Sequence, residues 1–171
     1  MAALTTRPTL ENDTMNDLGN LHYIPALASI DSTTTVTEAM TDAIDIGEAT
    51  ALHFVCNFGA ITGDDLVVKA YKDANTTTTG GTAIAFRYKL TSAVGTDSIS
   101  AWTACASAGL TVTASDDNKV LIVDIDPAQC DGYPYVYLGF DPGASMTSFL
   151  NGVVAVVVPR YNQSIPASMV D

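Results

Sequence analysis

Two histidines, His22 and His53, are the side chains in this sequence best suited to acid–base chemistry. His22 lies in a polar N-terminal segment and His53 alternates within a strand-like run, and no Gly-x-Ser-x-Gly elbow or Cys–His pairing signal accompanies either of them. The paired carboxylates Asp64-Asp65 and Asp116-Asp117 lie in turn-like sequence, where solvated aspartates cap the backbone. Acid–base catalysis instead requires burial that separates two pKa values. We therefore expect no catalytic residues and a protein that is not an enzyme.

Three aspartates, Asp124, Asp126 and Asp131, are oxygen ligands of the kind that calcium prefers. Their spacing lacks the Asp-x-Asp-x-Asp-Gly loop with its distal Glu, so a solvated acidic strand end is the alternative, and we predict no metal and no cofactor. Cys56 and Cys105 lie in apolar runs and are expected to behave as small buried hydrophobes. No close pair of cysteines is present to ligate zinc.

Aromatic side chains offer a second kind of chemistry. Tyr133, Tyr135 and Tyr137 alternate with other residues, so all three rings should project from one face of a strand. Together with Trp102 they could form a stacking platform for sugar rings. Alternatively, they form one wall of an apolar core with their hydroxyls at its margin, which is the commoner arrangement.

From residue 33 onward, the elements that position these residues are short runs rich in Val, Ile, Thr, Tyr and Phe, separated by Gly, Asp, Asn and Pro. Such a pattern is typical of strands joined by turns, and it predicts about eight to ten of them. The clearest runs are 50–58, 65–72, 82–91, 119–126, 134–140 and 151–158, and the weaker ones are 33–38, 41–46, 99–104 and 110–114.

The runs lack long amphipathic helices between them, which disfavours parallel β-α-β units. Within 82–91, Ile84, Phe86 and Tyr88 should share one face and Arg87 and Lys89 the other. This alternation favours antiparallel strands. The sequence therefore predicts an all-β antiparallel β-sandwich or jelly roll.

One run, residues 153–158, is apolar on both faces. A strand of this kind requires cover on both sides, either within the sandwich or from another protein chain.

Residues 1–32 differ from the rest because their apolar residues recur at no fixed period. We interpret them as an extended N-terminal arm, in which a short helix over 9–18 could end at Gly19, followed by a single β-sandwich domain over 33–171. Thirty extended residues reach up to about 100 Å, so we expect this arm to become ordered only on a neighbouring subunit. The side chains expected to bind that partner are Leu4, Leu10, Leu18, Leu21, Tyr23, Ile24 and Leu27.

The chain of 171 residues carries 7 Lys and Arg against 19 Asp and Glu, a net charge of −12. So few basic residues make no patch, which argues against nucleic acid and anionic membranes as partners. The N-terminus has no continuous apolar stretch, so we expect no secretory signal and synthesis in a cytoplasm.

The order of these runs resembles that of small structural proteins from tailed-phage and prophage head modules, the capsid decoration or cement proteins with a jelly-roll-like fold. The likeness covers about residues 31–161. Its segments are DSTTTV (31–36), AIDIG (43–47), LHFVCNFGA (52–60), KVLIVDI (119–125), YPYVY (133–137) and VAVVVPR (154–160).

This resemblance implies a virion protein on the outer capsid surface that bridges subunits of a phage major capsid protein, and that associates with itself as a homodimer or homotrimer. The alternative is a carbohydrate- or receptor-binding module of a phage tail or appendage, which would use Trp102 and the tyrosines.

Overall fold

The computed structural model describes residues 21–31, 38–160 and 169–170. In these ranges the chain forms thirteen strands and two short 3₁₀ helices, Ala114–Asp116 and Pro127–Cys130. The strands are β1 (His22–Asp31), β2 (Ala39–Met40), β3 (Ala43–Asp45), β4 (Ala49–Thr62), β5 (Leu66–Asp73), β6 (Thr82–Ile84), β7 (Phe86–Leu90), β8 (Thr103–Cys105), β9 (Leu110–Val112), β10 (Val120–Ile125), β11 (Tyr135–Pro142), β12 (Ser148–Pro159) and β13 (Met169–Val170).

The strands form two antiparallel sheets that pack face to face, which confirms the predicted β-sandwich. One sheet has six strands in the order β1-β12-β4-β10-β7-β8. The other sheet has seven strands. Five of them lie side by side in the order β13-β3-β11-β5-β6, while β2 pairs with β11 and β9 pairs with β5. None of the described residues belongs to a helix long and apolar enough to cross a membrane.

Alternation along each strand builds the core between the sheets. In β4, for example, Leu52, Phe54 and Cys56 are buried, whereas the residues between them are partly exposed. All five phenylalanines of the chain are at most 4% exposed. Burying a side chain of this size contributes about 1.5–3 kcal/mol, so the aromatic rings supply much of the driving force for closing the sandwich.

The run 82–91 is not one strand. It divides at Ala85 into β6, which pairs with β5, and β7, which pairs with β10 in the other sheet. Ile84 and Phe86 are both buried, Tyr88 packs against the same core, and Arg87 and Lys89 lie on the opposite face, as the alternation predicted. The chain therefore crosses from one sheet to the other without losing its inward-facing residues.

The number of strands exceeds the predicted eight to ten because several have only two or three residues, too few to show alternation in the sequence. The last third of the predicted arm also belongs to the sandwich. Residues 22–31 form β1, which pairs with β12 of the same chain, so the sheet begins before the predicted boundary at residue 32. Residues 1–20, including the predicted helix over 9–18, lie outside the described residues.

Candidate interaction surface

The outer face of the six-stranded sheet presents several apolar side chains to solvent, among them Tyr23 and Val154. Strand register places its residues in rows that run across the sheet. One row is Tyr23, Val156, His53, Asp124 and Arg87, and the next is Pro25, Val154, Val55, Ile122 and Lys89. We call the six apolar members of these rows, Tyr23, Pro25, Val55, Ile122, Val154 and Val156, the valine face.

The valine face exists because β12 is apolar on both sides. Val153, Ala155 and Val157 point into the core and are at most 3% exposed, whereas Val154 on the opposite side is 40% exposed. Strands β1 and β4 pair with both edges of β12, whereas on its outer side Val154 is exposed and Val156 is half-buried. Among the described residues, β12 is therefore fully covered only on the side that faces the core.

The polar members of the first row, His53, Asp124 and Arg87, border the valine face, and we call them the polar row. Asp124 is only 6% exposed and accepts hydrogen bonds from Nε of Arg87, at 2.9 Å, and from the Arg87 terminal nitrogen Nη2. On the other side of Asp124, the His53 Nδ1 lies 3.1 Å from the Asp124 Oδ1, but these two atoms do not form a hydrogen bond. The buried carboxylate is thus held chiefly by a guanidinium, as a buried charge requires.

Trp102 marks the far edge of the same face and is 41% exposed. The Lys89 Nζ lies 4.8 Å and the Arg87 Cζ 5.5 Å from the centre of its ring, distances typical of cation–π contacts. Both cations project from the same side of β7, and part of the Trp102 indole stays exposed to solvent beside them. Trp102 is therefore a partly exposed aromatic ring in contact with two cations.

The charge of this surface differs from that of the whole chain. Among the described residues in its rows, Asp124 is the only carboxylate, and Arg87 pairs with it. Lys89 has no carboxylate partner among the described residues, so the surface carries a small positive charge on a chain of net charge −12.

The three tyrosines do not form a platform. The strand begins at Tyr135, so Tyr133 precedes it and lies instead under the Lys72 ammonium, 5.0 Å from the ring centre. Tyr137 is 1% exposed and stacks on Tyr71 with ring centres 5.2 Å apart. Its hydroxyl accepts a hydrogen bond from the Gly81 backbone N–H, and burial raises its pKa. The sandwich core is supplied by residues that alternate with the tyrosines, including Val136 and Leu138.

The aspartates considered for calcium do not converge. Asp124 lies in the polar row, Asp126 caps the 3₁₀ helix through the Ala128 N–H, and Asp131 pairs with Lys72. The described residues contain no group of three His, Cys, Asp or Glu side chains placed to hold a metal ion.

The aspartates of the predicted turns serve as backbone caps. Asp64 accepts hydrogen bonds from the backbone N–H groups of Ser145 and Asp65, which lower its pKa. Asp117 accepts one from Ile61 at 2.8 Å. Cys56 and Cys105 are buried thiols, as predicted, and burial raises the pKa of each.

The structure places the residues predicted to bind a partner in different environments. Tyr23 is 52% exposed in the valine face, whereas Ile24 is buried in the core of its own chain. Leu27 also packs against that core, and Leu21 is half-buried. Leu4, Leu10 and Leu18 lie outside the described residues.

A cleft of about 480 Å³ lies at one end of the sandwich, between Ala49, Pro127, Tyr133 and Arg160.

Sequence reasoning missed the Arg87–Asp124–His53 row and the cations beneath Trp102, because only the pairing of β7, β10 and β4 brings these residues together. The exposed valines could be expected from the sequence, because the run 153–158 is apolar on both faces. No protein-family model matches this chain, and no curated protein is similar enough in sequence to count as a relative.

Proposed function

We propose that this protein is a structural virion protein that binds the outer surface of a phage capsid and stabilises contacts between subunits of the major capsid protein. The observation that carries the proposal is the valine face, an outward-facing apolar patch of the β-sandwich in which Tyr23 and Val154 are 52% and 40% exposed. Contiguous exposed apolar surface of this kind marks sites of protein–protein interaction. The resemblance of residues 31–161 to decoration proteins supplies the identity of the partner.

The physical role follows from thermodynamic linkage between binding of this protein and stability of the assembled shell. A protein that binds only the assembled shell stabilises it by mass action, and the stabilisation grows with the concentration of the bound protein. Such a role requires contact area and shape rather than reactive groups. The acidic surface elsewhere on the chain would keep the protein away from packaged DNA.

The test is co-sedimentation of the purified chain with capsids that lack it, prepared from the phage or prophage whose genome encodes it. We expect saturable binding at a fixed ratio to the major capsid protein, together with a higher temperature of capsid disruption. Mass spectrometry of purified virions should also detect the chain. If the chain neither sediments with capsids nor occurs in virions, the proposal is wrong.

A second candidate function, saccharide or receptor binding by a tail or appendage module, is favoured by Trp102. The Trp102 ring is exposed enough to stack on a sugar ring, and the adjacent Lys89 and Arg87 suit an acidic saccharide. Trp102 is the sole tryptophan, so its fluorescence reports on this position alone. A saturable fluorescence change with hexuronate oligosaccharides, lost in Lys89→Ala, would support this function, and no change at any concentration would exclude it.

A further inference from the structure

We infer that a cleft at the end of strand β7 is a binding site for an uncharged saccharide. The cleft has a volume of about 470 Å³ and lies between β7 and the hairpin that leads to β8, residues 91–102. Sites for small ligands commonly have volumes of about 300–1,000 Å³. The inference goes beyond the capsid role, and it concerns a different site and a different class of saccharide from the acidic one considered at Trp102.

The cleft is on the core-facing side of β7. Tyr88 and Leu90 lie on this side, where they pack against the core but remain half-buried. Arg87 and Lys89 project from the opposite side of the strand and contact Trp102 there. The cleft and the Trp102 ring therefore lie on opposite faces of the same sheet.

Hydrogen bonds hold the wall of the cleft in place before a ligand binds. The Ser100 N–H donates to the Leu90 carbonyl at 2.9 Å, and the Leu90 N–H donates to the Ser100 hydroxyl at 3.0 Å. Further along the hairpin, the N–H and the hydroxyl of Ser92 both donate to the Ser98 carbonyl. A wall fixed in this way reduces the ordering cost of binding.

Hydroxyl groups form most of the polar lining of the cleft. Six of its nine lining residues carry a hydroxyl group: Tyr88, Thr91, Ser92, Ser98, Ser100 and Thr103. Four of these hydroxyls bond to the backbone of the chain itself. The other two, on Tyr88 and Ser98, make no hydrogen bond to any described residue. A hydroxyl both donates and accepts, so the hydroxyls of a saccharide are suitable partners for these two groups.

The charge of the cleft favours an uncharged ligand. Lys119 is the only charged residue in the described lining, and its Nζ donates to an Asp116 carboxylate oxygen at 2.9 Å. Both side chains of this pair are at most 16% exposed, so the lysine already has its counter-charge. A charged ligand that entered the cleft would lose water without gaining a free charge of opposite sign.

The apolar lining matches the remaining part of a sugar. Leu90 and Ile99, of which Ile99 is 39% exposed, are aliphatic, and Tyr88 adds an aromatic ring. A pyranose presents C–H groups on its faces and hydroxyls around its rim, so it needs both kinds of contact. Apolar surface combined with a few polar groups is the usual composition of a small-molecule site.

The test is an amide NMR titration of the full chain with uncharged oligosaccharides built from glucose, galactose, N-acetylglucosamine or rhamnose. We expect at least one of them to shift the amides of Ser92, Ser98 and Ser100 in a saturable way, and we expect hexuronate oligosaccharides to leave these amides unchanged. If no uncharged saccharide of this panel shifts them, or if hexuronates shift them equally, the inference is wrong. Shifts confined to the Trp102 indole would place binding on the other face and would also overturn it.

Two substitutions test the contacts. Tyr88→Phe keeps the ring and removes its hydroxyl, and Ser98→Ala removes the second hydroxyl that lacks a partner. Each should raise the dissociation constant of the saccharide by about 2- to 12-fold, the equivalent of one neutral hydrogen bond. The matched controls, Tyr133→Phe and Ser145→Ala, lie at exposed positions outside the cleft and should leave binding unchanged.

The amide spectrum of each variant verifies that it folds. Binding that neither cleft substitution weakens, or that the controls weaken equally, would overturn the inference. Capsid co-sedimentation answers a separate question. A chain that binds an uncharged saccharide in the cleft but does not bind capsids supports this inference and disproves the capsid role, whereas a chain that binds capsids and no uncharged saccharide does the reverse.

Discussion

Removing the hydroxyl of Tyr137 should destabilise the fold measurably, because this group satisfies a backbone donor on the segment between β5 and β6. The Tyr137 ring is 1% exposed, and its oxygen accepts a hydrogen bond from the Gly81 N–H at 3.0 Å. A neutral hydrogen bond contributes about 0.5–1.5 kcal/mol net, and an unsatisfied buried donor costs about 1–3 kcal/mol. Gly81 is half-buried, so water can partly replace the lost acceptor. We expect Tyr137→Phe to lower the free energy of unfolding by about 1–1.5 kcal/mol.

The assay is urea unfolding at equilibrium, followed by circular dichroism. The midpoint should fall while the slope m stays constant, because the surface exposed on unfolding does not change. In a thermal melt the loss corresponds to a decrease in Tm of about 2–6 °C for a domain of this size. The control is Tyr133→Phe, at a ring that is 38% exposed and precedes the strand, which should change stability by less than about 0.5 kcal/mol. Equal effects of the two substitutions would refute the assignment of the hydrogen bond as stabilising.

Three further predictions concern other parts of the sandwich. Asn151 is 2% exposed, and its side-chain amide atoms have no hydrogen-bond partner among the described residues. Asn151→Leu should therefore raise the unfolding free energy by about 1–3 kcal/mol, whereas Asn57→Leu, at an exposed position, should change it little; urea titration compares the two variants. Burial, followed by the charge of a nearby glutamate, raises the pKa of Tyr71 to about 12. The folded state therefore retains this proton above pH 10 while the unfolded state loses it, so stability should be constant below pH 10 and fall toward pH 12, with a smaller fall in Tyr71→Phe. Gly63 has φ +98° and a backbone carbonyl oxygen where a Cβ would lie, so Gly63→Ala should cost more than Gly95→Ala, at φ +73° with open space around it. Equal losses of Tm in the two glycine variants would disprove the steric argument.

The sequence was sufficient to predict the fold class and most of the long strands, because alternation is a local property. The run 119–126 contains β10, Val120–Ile125, and 65–72 overlaps β5, Leu66–Asp73, to within a residue at each end. In the same way, the turn signal at Gly63-Asp64 lies between β4 and β5. The two-residue strand β2 was not predicted, because two residues cannot establish a period, whereas β3 falls within the weak run 41–46.

The sequence also indicated that residues 153–158 require cover on two sides, but it could not say which chain provides it. The register of β12 with β1 and β4 shows that one side faces the core and that the other forms the valine face. Likewise, the sequence identified Trp102 as a candidate platform, whereas its contacts with Arg87 and Lys89 depend on the position of residue 102 beside β7.

By itself, then, the sequence determined which residues alternate, where turns interrupt them and how strongly acidic the chain is. Only the tertiary structure decided that β1 belongs to the sandwich, that the run 82–91 divides between the two sheets, and that Asp124 lies between a histidine and an arginine. The physical reason is that periodicity is set by neighbouring residues. Strand pairing is set by the packing of side chains far apart in the chain, which no local pattern encodes.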